Sequence, residues 1–219
     1  MSDLPVTAAA MAGIAIVALG LVLTPGPNMI YLVSRSVTQG HRAGLVSLVG
    51  VAAGFLVYLV AAVAGITAVF VAVPAAYTVL KIAGAGYLLY LAWQAVRPGG
   101  HSVFTVKELP PDSARRLFTM GMVTNLLNPK IAVLYVALLP QFVDPGRGSV
   151  AMQSLVLGVT QIVIAICVNA AIVMTAGSLA GFLAGRPVWL RAQRWLMASV
   201  LGALAVRLVS DRGHAAATT

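Results

Sequence analysis

The stretch that decides the fold is Thr-Pro-Gly-Pro-Asn at residues 24–28, which interrupts an apolar run over residues 8–34. A similar interruption, Asn128-Pro129, breaks a second apolar run over residues 117–143. A proline inside a helix removes a backbone donor and clashes with the carbonyl group four residues earlier. In lipid, a carbonyl freed in this way must face protein or a water-filled cavity. The sequence therefore predicts two broken membrane helices.

The composition around these stretches is that of a membrane protein. Of the 219 residues, 60% are apolar and only 9% are charged, and the mean hydropathy is +0.98. Soluble domains are about 45–50% apolar and about 25% charged, so soluble enzymes, extracellular modules and disordered proteins are excluded. The single cysteine, Cys167, lies in an apolar run. It excludes an intramolecular disulfide and a cysteine metal site.

The apolar runs predict six membrane spans, at residues 8–34, 44–72, 76–96, 117–143, 150–176 and 192–210. No charged residue occurs between Arg42 and Lys81, a stretch too long for one crossing of a core about 30 Å thick, and Val73-Pro74 is the best turn within it. The last span is the weakest, because only 12 residues separate Arg194 from Arg207, and a five-span form stays open.

The fold class that we predict is an all-α polytopic membrane protein forming one transmembrane domain over residues 1–219. The polar segment 98–116, rich in proline and charge, separates a first repeat (about 8–97) from a second (about 117–210). Three spans in each half mean that related halves insert in opposite senses, as in the inverted repeats of many secondary transporters. The expected architecture is thus a 3+3 inverted repeat with broken first and fourth helices.

The basic residues predict the orientation in the membrane. Nine Lys and Arg residues flank the links after spans one, three and five, against three or four on the other side. Such residues concentrate in cytoplasmic loops, which places both termini in the periplasm. These topology signals explain the net charge of +9. The sequence has no basic groove interleaved with aromatic residues, so a nucleic-acid partner is not expected.

The two breaks are the candidate binding site. Freed carbonyl groups can accept from an ammonium group, and the N-terminus of the half-helix resuming near Met29 or Lys130 favours an anion. Pro25 is expected to free the carbonyl of Leu21. Together these groups complement a zwitterionic amino acid. The predicted substrate-binding residues are Pro25, Gly26, Pro27, Asn28, Asn125, Asn128, Pro129 and Lys130.

Other polar residues of the spans leave alternatives open. Lys130 could attract a substrate carboxylate, carry a proton, or take part in a structural pairing. No acidic residue lies in the core of a span, which favours neutral over basic amino acids. Tyr58, Gln161 and Asn169 could line a pathway or simply bond across helices. Glycines spaced by four predict close helix contacts, within the chain or in a homo-oligomer: Gly50, Gly54, Gly177, Gly181 and Gly185.

Four segments resemble the LysE/RhtB family of amino-acid exporters. They are TPGPNMIYLVSRSVTQGHRAGL (24–45), LKIAGAGYLLYLAWQAVR (80–97), GMVTNLLNPKIAVLYVALLPQFV (121–143) and RAQRWLMASVLGALAVRLV (191–209). The resemblance implies an inner-membrane exporter of amino acids or close derivatives, driven by the proton gradient and nearest to the homoserine/threonine-type branch. Two departures are Ala165, where relatives often have an acidic residue, and Tyr58, near which some have histidine.

The leading functional hypothesis is an exporter that works by alternating access, binding substrate at the two breaks. An intramembrane enzyme would need a nucleophile with its base, or a cluster of metal ligands. The three histidines lie in polar segments without an acidic neighbour, so neither catalysis nor a metal or other cofactor is expected. A membrane adaptor that transports nothing is the other alternative, and amino-acid outflow from overexpressing cells would exclude it.

Overall fold

The computed structural model describes residues 5–72, 74–97, 111–184 and 187–210, and within them the protein is all-helical, without a strand. It is a polytopic membrane protein, as predicted. In chain order the α-helices are α1 (Ala8–Leu23), α2 (Pro27–Gln39), α3 (His41–Ala72), α4 (Pro74–Val96), α5 (Ala114–Leu126), α6 (Pro129–Val133), α7 (Val150–Ala184) and α8 (Pro187–Ser210). A π-helical turn (Leu134–Leu138) and two 3₁₀ turns (Leu139–Phe142 and Pro145–Arg147) lie between α6 and α7.

The first predicted break is present between α1 and α2, whose axes are bent by 54°. Pro27 occupies the first turn of α2, where its missing N–H costs no intrahelical hydrogen bond. The helix continues to Gln39, beyond the predicted end at residue 34, and stops at Gly40. Gly40 has φ +87°, a conformation that other residues rarely adopt.

The second predicted break is present between α5 and the segment Pro129–Phe142, which are bent by 51°. Ser113 begins α5 by accepting a hydrogen bond from the backbone N–H of Arg116 (3.3 Å). Beyond the break, α6 passes into the π-helical turn and then into a 3₁₀ turn. Asn125 lies in the last turn of α5, so the interruption falls after it, at Leu127 and Asn128.

Two stretches are long and apolar enough to cross a membrane unbroken, His41–Gly65 and Val150–Ala176. Each bent pair adds one candidate, so the described residues contain up to four. The turn predicted at Val73-Pro74 falls where α3 ends and α4 begins, although residue 73 itself lies outside the described residues. The helices α4 and α8 have 23 and 24 residues. The six-span count and the inverted repeat stay predictions.

Glycines bring α3 and α5 into close contact. A Cβ atom added at Gly50 would lie 2.0 Å from the carbonyl oxygen of Phe118, and one at Gly121 would lie 2.2 Å from that of Ser47. Gly54 has the same role, since a Cβ there would lie 2.9 Å from Oδ1 of Asn125. The predicted use of Gly50 and Gly54 in helix packing is therefore confirmed within one chain. Three further glycines with the same predicted role lie where no side-chain surroundings are described: Gly177, Gly181 and Gly185.

Candidate functional site

Lys130 connects the two breaks. Its Nζ atom donates hydrogen bonds to the carbonyl oxygens of Leu21 and Thr24, each at 2.7 Å, and the residue is only 7% exposed. The carbonyl of Leu21 needs a donor because Pro25, four residues later, has no N–H. Lys130, at the start of the second half of one broken helix, thus supplies the hydrogen bond missing from the other. Of the three roles considered for Lys130, the structure contains the structural pairing.

Gly26 makes room for this lysine. A Cβ atom at position 26 would lie 3.1 Å from Nζ and 3.4 Å from Cε of Lys130. The backbone there is extended, with φ −166°, which any residue can adopt. The requirement for glycine at this position is therefore one of space.

The second break satisfies its own backbone groups. Asn128 accepts a hydrogen bond at Oδ1 from the backbone N–H of Lys130 (3.1 Å) and so caps α6. Pro129 frees the carbonyl of Asn125, which accepts instead from the N–H of Asn128 (3.0 Å). The carbonyl of Leu126 accepts from the hydroxyl of Tyr58 (2.8 Å). The start of α6 is closed by these contacts.

The first break is open by comparison. Among the described residues, no side chain caps the N-terminus of α2, so the backbone N–H groups of Asn28 and Met29 in its first turn have no side-chain acceptor there. Uncapped N–H groups at a helix start attract anions. Asn28 is 7% exposed, and its Oδ1 has no hydrogen-bond partner among the described residues. The backbone N–H groups at the start of α2 are thus available as donors, and Oδ1 of Asn28 is available beside them as an acceptor.

A small cavity of about 20 Å³, partly open to solvent, adjoins this open break. Asn28 and Lys130 both line it, so two predicted site residues from different halves share one space. Among the other lining residues are Gln161, Asn169 and Ala165. Ala165 is the position where the family resemblance leads one to expect an acidic residue, and here it is a small apolar part of the wall.

Two predicted residues, Asn125 and Asn128, are buried but do not line the cavity. Both side-chain amide atoms of Asn125, and Nδ2 of Asn128, lack partners among the described residues. Buried polar groups without partners are rare in folded proteins and call for an explanation such as a ligand or a change of conformation. These amides are unsatisfied groups beside the second break, separate from the cavity.

The polar residues of the other spans mostly bond across helices. Tyr135 donates to Oε1 of Gln161 (2.7 Å), and its ring stacks on that of Tyr58 with centroids 5.6 Å apart. Asn169 donates to the carbonyl of Ala165 in its own helix (2.8 Å). Both Gln161 and Asn169 lie in the cavity wall, but of the two only Gln161 also bonds across helices.

Sequence reasoning missed a polar clasp between the ends of the two broken helices, formed by Arg35, Gln39, Asp112 and Arg116. Arg35 and Gln39, four residues apart on one face of α2, both bond Oδ2 of Asp112, at 2.5 and 3.0 Å. Arg116 pairs with Oδ1 (3.0 Å). The hydrogen bond from Gln39 and the two guanidinium groups lower the pKa of Asp112, against desolvation. Opposite charges flanking both broken spans were the available signal.

Comparison with known proteins identifies the family of the chain. The family model described as LysE type translocator matches residues 19–212. A Salmonella typhimurium protein named homoserine/homoserine lactone efflux protein is 32% identical over 166 residues, which is 75% of this chain and 79% of that protein. A Vibrio cholerae protein named only as a membrane protein is 31% identical over 142 residues, 65% of this chain and 68% of its own length. No solved structure matches the chain. With both breaks inside the matched region, the chain belongs to the LysE family.

Proposed function

We propose that this protein exports neutral amino acids or close derivatives, in particular homoserine-type compounds, from the cytoplasm across the inner membrane. Membership of the LysE family supports export, and the names of the Salmonella relatives support the substrate class. Under this proposal the protein transports and catalyses no reaction. The loops after spans one, three and five face the cytoplasm, and both termini lie in the periplasm, as the distribution of Lys and Arg indicates.

One observation carries the binding site: the cavity at the first break combines an uncapped helix start, a buried amide oxygen and a lysine. We assign the substrate carboxylate to the N–H groups at the start of α2, where the helix dipole favours negative charge. The ammonium group binds oxygen acceptors of the break, including Oδ1 of Asn28. Pro25, Gly26 and Pro27 keep the backbone open, and the second break supplies Lys130 to the cavity. Asn125, Asn128 and Pro129 do not line the cavity, and we assign them to the site in the conformation that the broken helices adopt during transport.

The charge of the spans sets the substrate class. The five acidic residues are Asp3, Glu108, Asp112, Asp144 and Asp211, all outside the core of the predicted spans. A second ammonium group, as on lysine or arginine, would therefore enter the membrane without a carboxylate to balance it. Neutral zwitterions are the substrates that this site favours.

Transport proceeds by alternating access in our proposal, with the proton gradient as the energy source. The contact between Lys130 and the first break holds the two broken helices together at their breaks. The clasp holds the end of the first broken helix to the start of the second. Movement of one half against the other must loosen at least one of these contacts, as in other transporters with broken helices.

The test is uptake into inverted membrane vesicles, where export appears as accumulation inside. Homoserine, threonine, homoserine lactone, lysine and arginine are offered in turn, with and without an imposed pH gradient, and vesicles without the protein serve as the control. We expect accumulation of homoserine and threonine, increased by the gradient, and none of the two basic amino acids. Homoserine lactone, which has no free carboxylate for the start of α2, should accumulate less than homoserine. Absence of uptake for every compound would contradict export of this substrate class. Equal uptake with and without the gradient would contradict proton coupling.

A further inference from the structure

The hydrogen bonds of Lys130 define a small site for an ammonium group. Two backbone carbonyl oxygens, of Leu21 and Thr24, each lie 2.7 Å from Nζ, within the range of charge-assisted N–H···O bonds. Both carbonyls belong to the interrupted turn of the first span, so their bonding is independent of any side chain that could be exchanged. The absence of a Cβ at Gly26 leaves room for the amine, since a Cβ there would lie 3.1 Å from Nζ.

We infer that these two carbonyls are the ammonium subsite of the transporter, that Lys130 occupies it in the absence of substrate, and that the substrate's ammonium group takes its place. This inference rests on the proposed function, and it adds a resident competitor to the site. Lys130 is then a specificity-determining residue, because a ligand must carry its own N–H donors to displace it.

Charge balance supports such an exchange. A protonated amine at Nζ has carbonyl dipoles beside it, whereas the two described carboxylates, Asp112 and Asp144, lie outside the helices, before α5 and after the 3₁₀ turn that ends at Phe142. A zwitterion brings both charges at once. Its ammonium group can take the carbonyls while its carboxylate, bound at the start of α2, also pairs with the displaced lysine, and an ion pair of this kind is much stronger away from water. A ligand with only one of the two charges can make only one of these two contacts.

The exchange also has a consequence for movement. Lys130 belongs to the second broken helix and the carbonyls to the first, 109 and 106 residues away in sequence. When the substrate replaces Lys130, the direct contact between the two breaks is lost, while the bonds of Tyr31 and of the clasp remain. Substrate binding therefore releases a restraint that persists in the empty protein.

The experiment replaces the lysine side chain by a free amine. The chain is reconstituted in lipid nanodiscs as wild type, as Lys130→Ala and as the control Arg115→Ala, whose residue is exposed on α5. Propylammonium has the three carbons and one nitrogen that Lys130→Ala removes beyond Cβ. We expect it to raise the melting temperature of Lys130→Ala, with a Kd at least tenfold below that for wild type or the control. Tetramethylammonium, which has no N–H, should have no effect. Equal responses of all three proteins would overturn the subsite.

Competition tests the takeover by substrate. Labelled propylammonium is bound to Lys130→Ala, and homoserine or 4-hydroxybutyrate, which lacks the ammonium group, is added. We expect homoserine to displace the label and 4-hydroxybutyrate to leave it bound. If homoserine fails here while wild-type vesicles still accumulate it, the inference is wrong and the proposed function stands. If wild-type vesicles accumulate none of the compounds offered, the proposed function itself fails.

A second variant keeps the test available should Lys130→Ala not fold. Lys130→Met retains most of the side-chain volume and vacates mainly the position of Nζ. In that variant the ammonium ion replaces propylammonium as the probe, and the expected and contradicting results are the same.

Discussion

Gly26 is the residue on which the contact between the two breaks depends most directly. Its hydrogen atom faces Nζ of Lys130 at a distance where a methyl group would already be crowded. The backbone conformation would tolerate another residue. A substitution at this position therefore tests the contact with little effect on the local backbone.

We predict that Gly26→Ala lowers export, because the new Cβ at 3.1 Å from Nζ crowds Lys130 and shifts it by a few tenths of an ångström from the carbonyls. Weakening of the two hydrogen bonds should cost up to about 1 kcal/mol of stability. The matched control is Gly65→Ala in α3, where an added Cβ meets nothing within 4 Å and alanine favours the helix. Vesicle uptake and thermal unfolding measure both effects. Wild-type uptake by Gly26→Ala would contradict the role of this contact.

Asn128 has two functions that different substitutions can separate. Its Oδ1 caps α6, and its Nδ2 is buried without a partner among the described residues. Asn128→Ala removes both groups and should cost about 0.5–2 kcal/mol through loss of the cap. Asn128→Ser keeps an oxygen suited to capping and lacks the amide donor.

We predict that Asn128→Ala loses both stability and export, whereas Asn128→Ser keeps most of the stability and still loses export. The expected reason is that the substrate or the moving helix uses Nδ2 during transport. Thermal unfolding in nanodiscs and vesicle uptake separate the two quantities. Export at the wild-type rate by Asn128→Ser would remove Asn128 from the binding site and leave it a capping residue.

Among the elements, α2 connects the end of the first broken helix to the start of the second. Tyr31, Arg35 and Gln39 follow each other at intervals of four residues and all bond to α5 or to Asp112 before it. One face of a helix therefore carries all three contacts. The clasp at the end of this face is the part that can be opened without touching the cavity.

We predict that Asp112→Asn destabilises the protein by about 1–3 kcal/mol, because Arg35 and Arg116 lose their carboxylate partner. Gln39 keeps an oxygen to bond and the backbone N–H of position 112. The control is Asp144→Asn, since Oδ1 of Asp144 accepts from the N–H of Gly146 and an asparagine oxygen can do the same. Thermal unfolding checks the difference, and equal stabilities of the two variants would contradict it.

The pH dependence of this effect follows from the lowered pKa of Asp112. A carboxyl group with a depressed pKa stabilises the folded state above its unfolded pKa of about 3.9 and loses this contribution as the pH falls through the folded value. The stability difference between wild type and Asp112→Asn should therefore be constant from pH 5 to pH 8. A difference that disappears within this range would show that another group controls the clasp.

The elements also show what the sequence can predict. Both breaks and the turn near residue 74 could be located because proline acts on its own helix, and the free carbonyl of Leu21 follows from Pro25 by the same rule. The donor to that carbonyl could not be predicted, since Lys130 reaches it only after the two broken helices pack together. The clasp could not be predicted for the same reason, because Arg35 and Asp112 are 77 residues apart in the sequence.

At the scale of the whole molecule, the orientation in the membrane can be measured by cysteine labelling. The single cysteine makes labelling straightforward, because Cys167→Ser gives a background without thiols. New cysteines are then placed at His101, in the polar segment between the predicted repeats, and at Arg147, in the exposed turn before α7.

We predict that His101→Cys reacts with a membrane-impermeant maleimide only in inverted vesicles, and Arg147→Cys only in intact cells with a permeable outer membrane. The excess of basic residues around the first position places it in the cytoplasm. Export activity in each variant confirms that it is correctly inserted. The reverse pattern would invert the proposed topology, and labelling of both positions from one side would contradict the predicted number of spans.

The two breaks have nearly the same angle, 54° and 51°, but α2 starts without a cap and α6 starts with one. In the proposed site, the carboxylate of an amino acid is thus drawn to one place and its ammonium group to another, so the molecule can lie in only one direction. With both groups fixed, the two remaining substituents of the α-carbon face different walls of the cavity. Mirror-image substrates would have to exchange them, and the pump should therefore distinguish L- from D-amino acids by the difference between those two walls.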